Sequence, residues 1–387
     1  MLAKPKILFV HDKPSGGAGE SLLQIIRMVS ESFDCTVIFS KEGFLKEKFD
    51  RLTAVQTYYW SLQGSWLLNR RFKYEFLNYL RLLISIPGRL PVIYRIYKLI
   101  KANNIEIVYS NTIYLIEGSI AAKLAGISHF WQVRELYDLD YYNYCLSKTF
   151  ITKVISVFSE KIIANSLRTR KALLNFGAED GKVRVLYNIV DESEESICIK
   201  HELGLATGSF AVCILGWITP NKRIEDFIDL ATHFRDKRDM KFIVIGGKGG
   251  DTNYNEMINK KARSSDNWRN IIFTGILKNA TDYLATVDLL LCPCYTESFG
   301  RTVAEALVSG TPAIGIRGTA TEEIIDHGET GFIVDKGDVN AMALNVEYLY
   351  KNRRMLKNMG ILGKQRVKER FGSEMLQTNY LKLLENR

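Results

Sequence analysis

The chain has 387 residues, 47% apolar and 25% charged, with seven prolines and a formal charge of +9. This composition excludes a disordered or collagen-like protein, and the length exceeds what one hydrophobic core usually serves, so two domains are expected. The excess charge is local: between Tyr58 and Lys101 stand Arg70, Arg71, Lys73, Arg81, Arg89, Arg95, Lys98 and Lys101 against Glu75 alone, which argues for one basic patch and against a nucleic-acid-coating protein.

The first strand, Ile7 to Val10, follows Met1 with no room for a charged n-region, an apolar h-region and a cleavage site, so no secretory signal is read. It leads into Pro14-Ser-Gly16-Gly17-Ala-Gly19-Glu20, which opens an amphipathic stretch from Ala18 to Ser30. Amides at such a glycine-rich turn can approach an anion at the helix start, and a purely structural tight turn explains the glycines equally well. The spacing is not that of a dinucleotide fingerprint, which disfavours a redox cofactor. Further strands are read at Cys35 to Phe39, Ile105 to Tyr109, Phe130 to Val133, Lys161 to Ala164 and Val183 to Leu186, with a helical stretch from Ser166 to Asn175.

From Pro91 to Lys101, Arg95, Lys98 and Lys101 recur on one helical face and Val92, Ile96 and Leu99 on another, with Tyr58, Tyr59, Trp60, Trp66, Phe72, Tyr74, Phe76 and Tyr79 nearby. Two readings stand for residues 58–101: contact with an anionic membrane or a lipid-diphosphate acceptor, or a helix half buried and half solvated. The longest apolar stretches, such as Leu82 to Pro87, fall far short of the roughly 20 residues a spanning helix needs. The expected location is cytoplasmic, with the inner face of the cell membrane as the place of any peripheral contact. Trp131-Gln-Val-Arg134-Glu135 closes a strand; Arg134 suits a hydroxyl or phosphate ligand, or each of the pair is a structural residue paired elsewhere on the surface.

Asp191 to His201 is acidic and aperiodic and reads as a linker, after which the alternation restarts with strands at Phe210 to Leu215, Lys241 to Ile245, Ile271 to Thr274, Leu289 to Leu291, Pro312 to Gly315 and Phe332 to Val334. The pattern implies two doubly wound Rossmann-like α/β domains with ligand edges at the carboxyl ends of their strands. Gly216-Trp-Ile-Thr-Pro-Asn-Lys222 follows the first strand of the second half, where Lys222 can neutralise a diphosphate or sit on a solvated helix start. Ile245-Gly246-Gly247-Lys-Gly-Gly250 reads as a plain turn at a strand end. The cysteines at 35, 145, 198, 213, 292 and 294 and the scattered histidines have no metal-ligand spacing, so neither a metal nor a cofactor is expected.

The segment Cys292-Pro-Cys-Tyr-Thr-Glu297-Ser298-Phe299-Gly300-Arg-Thr302-Val303-Ala-Glu305 runs from a strand through a loop into a helix expected from Ser298 to Ser309. The first-turn amides suit phosphate oxygens, Glu305 suits a ribose diol, and Glu297 suits a second sugar. Taken alone, the pair reads as Glu297 complementing the helix dipole and Glu305 facing solvent.

The run from Val287 to Gly315, with its Pro-x-x-Thr-Glu-Ser-Phe-Gly and Glu-Ala elements, resembles the donor-site signature of the retaining glycosyltransferases of family 4, which have the two-domain GT-B fold, and the resemblance extends over most of the chain. It implies domains at 1–190 and 203–370 facing across a cleft, a linker at 191–202, and a last helix, 371–387, crossing back to the first domain with Ser373 as N-cap. It also implies transfer of a sugar, with retention, from a nucleoside diphosphate to a hydroxyl of a glycan or lipid-linked acceptor in bacterial surface polysaccharide or glycolipid assembly, without a metal. Carried over residue by residue, Glu305 would hold the ribose, Glu297 the transferred sugar, and Lys222 with backbone at Ser298, Phe299, Gly300, Thr302 and Val303 the diphosphate. Gly17 would lie near phosphate and acceptor, Gly216 and Gly246 would line the nucleotide pocket, and Leu277, in the segment Phe273-Thr-Gly275-Ile-Leu277, would lie at the base. Arg134 falls where relatives carry a His-Asp pair near the sugar. Asn165-Ser166 and Tyr187-Asn188 match parts of the pattern that look architectural. Trp217 stands where relatives carry Arg, so Arg301 or Arg223 would have to substitute for that charge. A nucleotide-sugar epimerase of related fold, and a transferase-like nucleotide- or lipid-binding subunit, are the competing readings.

Overall fold

The structure, a computed structural model, describes residues 4–52, 55–62, 75–136, 144, 146–193 and 195–385. Arg70, Arg71, Lys73, Trp66, Phe72, Tyr74 and Cys145 lie outside them. The chain divides into two units, Met1–Ile189 together with Ser373–Arg387, and Val190–Gly372.

The first unit runs β1 (Lys6–His11), α1 (Gly16–Val29), β2 (Asp34–Phe39), α2 (Lys46–Asp50), β3 (Val55–Tyr59), α3 (Glu75–Asn103), β4 (Ile107–Ser110), α4 (Glu117–Ala125), β5 (Ser128–Val133), α5 (Lys148–Phe158), β6 (Lys161–Ala164), α6 (Leu167–Asn175) and β7 (Val183–Val185). The strands form one parallel sheet in the order β3-β2-β1-β4-β5-β6-β7, in register at Ile7 with Cys35 on one side and Ile107 on the other. Ile7 to Val10 are completely buried, because helices cover both faces of a parallel sheet and the strand must be apolar throughout.

Three findings differ from the sequence expectation here. Val55–Tyr59 adds an edge strand, β3, none of whose side chains is fully buried and which lacks the apolar run of the inner strands. The helix expected from Pro91 is the end of the 29-residue α3, which carries Pro87 and Pro91 inside it, and its buried seam is Ile93, Ile96 and Ile100, with Val92 and Leu99 only partly covered. Arg89 is no part of a surface patch: it is buried against the fully buried Glu117 of α4 in an ion pair. Among the aromatic residues nearby, Trp60 is buried beneath the Arg95 guanidinium at 4.2 Å, and Tyr79 packs edge-on to Phe150.

The second unit runs α7 (Ile199–Glu202), β8 (Phe210–Leu215), α8 (Ile224–Thr232), β9 (Met240–Ile245), α9 (Thr252–Ser264), β10 (Ile271–Gly275), β11 (Leu289–Leu291), α10 (Arg301–Val308), β12 (Ala313–Ile316), β13 (Gly331–Val334), α11 (Val339–Lys351) and α12 (Arg353–Phe371). Its parallel sheet is ordered β10-β9-β8-β11-β12-β13. Residues 191–202, read as a linker, include α7, whose Ile199 is fully buried, and Ile197 N donates to Asp282 O at 2.9 Å, so Ile197–Glu202 is folded onto this unit. Phe227, Phe242, Leu291 and Met342 lie in its core.

The last helix, α13 (Ser373–Glu385), belongs to the first unit. Leu376, Tyr380 and Leu384 are buried in one cluster with Ile7, Leu22, Ile26 and Tyr109, and Tyr380 Oη donates to Tyr187 O at 3.3 Å. Ser373 is its first helical residue rather than its cap.

Candidate functional site

In the second unit the strand order turns at β8: β9 and β10 extend to one side and β11 to β13 to the other. Loops at the carboxyl ends of the two strands meeting there, Gly216 to Lys222 after β8 and Cys292 to Gly300 after β11, flank the crevice where open parallel sheets bind ligands.

These two loops are joined by charge. Lys222 Nζ lies 3.0 Å from Glu297 Oε2, with both side chains mostly buried. Burial by itself would lower the lysine's pKa, but the Glu297 carboxylate outweighs it and the ammonium is held charged; burial would likewise raise Glu297, yet Lys222 and the Gly300 amide keep its pKa low. The result is a charged pair whose two side chains stay 21% and 17% exposed, so its outer side is not sealed.

The helix α10 starts at Arg301, three residues later than expected. Gly300 N donates to Glu297 Oε1 at 3.3 Å, and Gly300 takes φ +94°, a left-handed conformation that stops Ser298, Phe299 and Gly300 from joining the helix. The helix ladder begins with Ala304 N donating to Gly300 O at 3.0 Å, so the amides of Arg301, Thr302 and Val303 lie ahead of it at the positive end of the helix dipole. Phe299 is buried edge-on against Phe371 and Val303 is completely buried, so those two contribute backbone and anchorage, not side chains. Glu305 Oε1 accepts from Arg301 Nε at 2.7 Å one turn back.

Gly216 and Gly246 bring the ends of β8 and β9 together. A Cβ on Gly246 would stand 1.9 Å from Gly216 O, and the residue has φ +150°, so only glycine fits. Beyond them, Trp217 is 44% exposed and Ile276 68% exposed, and both lie so close over Gly247 that a Cβ there would fall 2.9 Å and 2.6 Å from their side-chain atoms. Leu277 is half buried beside Ile276 in the loop after β10.

The remaining predicted residues are in the first unit, at the corresponding turn of strand order between β1 and β4. Gly17 is exposed in the first turn of α1. Arg134, 9% exposed, is not on the surface. Its Nε and Nη2 donate to Asn111 Oδ1 at 3.0 and 2.8 Å, Nη2 also to Gln132 Oε1 at 2.8 Å, and Nη1 to Asn188 Oδ1 at 2.5 Å. Its neighbour Glu135 is buried too, which raises its pKa, and it accepts from Thr112 Oγ1 at 2.8 Å. His11, at the end of β1, is buried with its pKa pushed down to about 3 by burial and by the Arg134 charge.

Two family models tile the chain: Glycosyltransferase Family 4 over residues 15–194 and Glycosyl transferases group 1 over residues 198–366. The chain belongs to glycosyltransferase family 4. It is similar to N-acetyl-alpha-D-glucosaminyl L-malate synthase of Bacillus anthracis, 27% identical over 51% of this chain and 52% of that protein. It is also similar to the capsular polysaccharide biosynthesis glycosyltransferase CapM of Staphylococcus aureus, 24% identical over 59% of each. These alignments span about half the length of the curated relatives. The crystal structure of HepE from Anabaena with UDP and glucose superposes with a TM-score of 0.82, at 18% identity, over 99% of this chain and 100% of that one, and this likeness assigns the GT-B fold.

Within this family 4 chain, both cations named as substitutes at the Trp217 position are tied to carboxylates. Arg301 holds Glu305, and Arg223 holds Glu225 at 2.6 Å and Asp226 at 2.8 Å while its guanidinium lies over the Tyr295 ring. Sequence reading treated Trp217 only as a missing charge and passed over its place with Ile276 over Gly247; the signal was an indole at a strand end, where few large aromatics stay exposed. It also passed over Asn111, Gln132 and Asn188 as partners of Arg134, which spacing could not reveal. Among the described residues no group of three or more His, Cys, Asp or Glu is placed to hold a metal ion.

Proposed function

We propose that the chain is a retaining hexosyltransferase that moves a sugar from a nucleoside diphosphate to a hydroxyl of a glycan or lipid-linked acceptor in bacterial surface polysaccharide or glycolipid assembly. The observation that carries the reading is the Lys222–Glu297 pair across the turn in strand order, beside the α10 amides. The bond from the anomeric carbon to the diphosphate oxygen breaks with its electron pair on the phosphate. The acceptor oxygen bonds to the same face of the sugar, and its proton passes to the departing phosphate oxygen. Lys222 and the backbone around Phe299 to Val303 stabilise the charge growing on that oxygen, the term that usually dominates such catalysis. Glu297 receives hydroxyls of the transferred sugar, and Glu305 receives the ribose diol as Arg301 yields one bond. Trp217, Ile276 and Leu277 give the base or ribose an apolar wall next to Gly246. Arg134, its donors engaged by amide oxygens, contributes a fixed positive charge and no proton. The cationic residues within 58–101 support a lipid-linked acceptor.

UDP, GDP and ADP titrated in a thermal melt test the site, since a ligand of the native state raises Tm. With the nucleotide that fits, Glu305→Ala weakens binding by about tenfold or more, whereas Glu297→Ala leaves it within roughly threefold and lowers donor turnover. No shift with any nucleotide, or identical behaviour of the two variants, removes the roles. Conversion of the sugar without an acceptor would favour the epimerase reading.

A further inference from the structure

We infer that the outward face of α3 is a contact surface for an anionic lipid bilayer. The observation is an apolar helix of which, among the described residues, only one side is covered. Ile93, Ile96 and Ile100 face the core of the first unit. On the opposite side Phe76, Leu80, Leu83, Pro87, Leu90 and Tyr94 follow each other at three- and four-residue spacing, with Ile84 beside them, and all seven are exposed. At 3.6 residues per turn they form one continuous row about 28 Å long. A helix apolar on both sides is ordinarily covered on both, and exposed apolar patches of this extent mark interaction surfaces.

The charge on the same helix selects the partner. The outward row continues past Tyr94 into Arg95, Lys98 and Lys101, all exposed. From Phe76 to Asn103 there is no Asp or Glu, and Arg89, the one buried cation of the helix, is neutralised by Glu117. Arg95 over Trp60 and Lys98 over Tyr94 keep their charged heads at the helix surface. An aliphatic row followed by uncompensated cations fits a helix lying in the plane of a membrane, its aliphatic part at the acyl boundary and its basic end among anionic headgroups. Pro87 and Pro91 lie in the same row and deprive the carbonyls of Leu83 and Pro87 of their helical donors, which suits the hydrated boundary and not the hydrocarbon interior. No helix among the described residues is long and apolar enough to cross a membrane. A second copy of the chain would bring these cations onto a helix with no carboxylate beyond Glu75 at its start to receive them.

The full chain is sedimented with phosphatidylcholine vesicles and with vesicles of phosphatidylcholine and phosphatidylglycerol. Retention by the anionic vesicles at least about tenfold stronger, and largely lost in roughly 0.5 M salt, is expected, since each cation near such a surface is worth about fivefold. Leu83→Asp with Leu90→Asp, and separately Arg95→Glu with Lys98→Glu, each lower that retention about tenfold or more while the melt and its shift by nucleotide stay as in the parent chain. Retention by neither vesicle, equal retention by both, indifference to either double variant, or a dimer in solution that the aspartates dissociate overturns the inference. The surface uses no donor-site residue, so a chain that binds vesicles but no nucleotide overturns the proposed activity alone.

Discussion

The two units build the same kind of parallel sheet and turn its strand order at an interior strand, yet they fill that point in opposite ways. The first seals it: His11, Asn111, Gln132, Arg134 and Asn188 are all buried, and the guanidinium is held by neutral amide oxygens. The second leaves it partly open, with Lys222 and Glu297 paired at 3.0 Å beside a helix start and an exposed indole. A charge held by amides keeps its field and cannot change partners, whereas a half-open ion pair can exchange one partner for a ligand at little cost. The contrast separates a fixed electrostatic element from an exchangeable one.

The largest way to pull the units apart is acid. His11 and His129 of the first unit are buried, with pKa values pushed down to about 3 by burial, while His201, His233 and His327 of the second are exposed. His129 is fixed neutral, its Nδ1 donating to Phe158 O at 2.8 Å and its Nε2 accepting from Ser110 Oγ at 2.9 Å. Folded, both rings stay neutral; unfolded, both take a proton below about pH 6.5. First-unit stability is therefore complete above that pH and falls as pH drops towards 3, by up to about 1.4 kcal/mol per pH unit for each ring, with the raised pKa of Glu135 offsetting part of the loss. The low pKa of Glu297 works over a lower window: its contribution is present above about 4.3 and is lost as pH falls through the folded value. Peptide-resolved hydrogen exchange between about pH 6 and 4.5 should show residues 4–189 losing protection before residues 190–372. Simultaneous loss would break the contrast.

Paired substitutions come next. Lys222→Ala should lower kcat/KM by about 10²–10³, as for loss of a preorganised charge donor, and cost roughly 2 kcal/mol by stranding Glu297. Arg134→Met should instead cost about 3 kcal/mol by taking the guanidinium from the buried amide oxygens of Asn111 and Asn188, while Gln132 keeps its bond from Tyr109 Oη. It should also flatten the acid loss, because His11 no longer feels the guanidinium; denaturation at several pH values reads both effects. Trp217→Ala is expected to weaken UDP binding about tenfold and Trp217→Phe by less than about threefold, measured by calorimetry, if the indole lies against a ring. The smallest effects should be equal in the two units: Ser166→Ala and Asp251→Ala each remove a side-chain cap, to Thr169 N and Tyr254 N at 3.0 Å, and cost about 1 kcal/mol in the melt.

Strands buried on both faces were legible as apolar runs, as at Phe210–Leu215, where all six residues are buried. The edge strand Val55–Tyr59 was not, since half exposure removes that signal. The start of α10 moved because a tertiary detail, Gly300 N on the Glu297 carboxylate, overrode local helical pattern. Resemblance brought Lys222 and Glu297 into view separately; that they meet across 75 residues follows only from strand order. Arg89 was counted into the basic patch because nothing local marks it and Glu117, 28 residues apart, as a buried pair. The Arg134 cluster draws on the ends of β1, β4 and β5 and on Asn188, so no window of sequence contains it.

Leu376, Tyr380 and Leu384 complete the core of the unit to which β1 belongs, although residues 190–372 intervene. Of the two units, the one whose synthesis begins earlier is thus completed later. While a nascent chain extends from the ribosome, Val190–Gly372 has every strand it needs as soon as it emerges, but the seam of α1 that receives α13 stays bare until that helix arrives. That interval is when a chaperone would find its hold, and a stop codon at Ser373 would make it permanent.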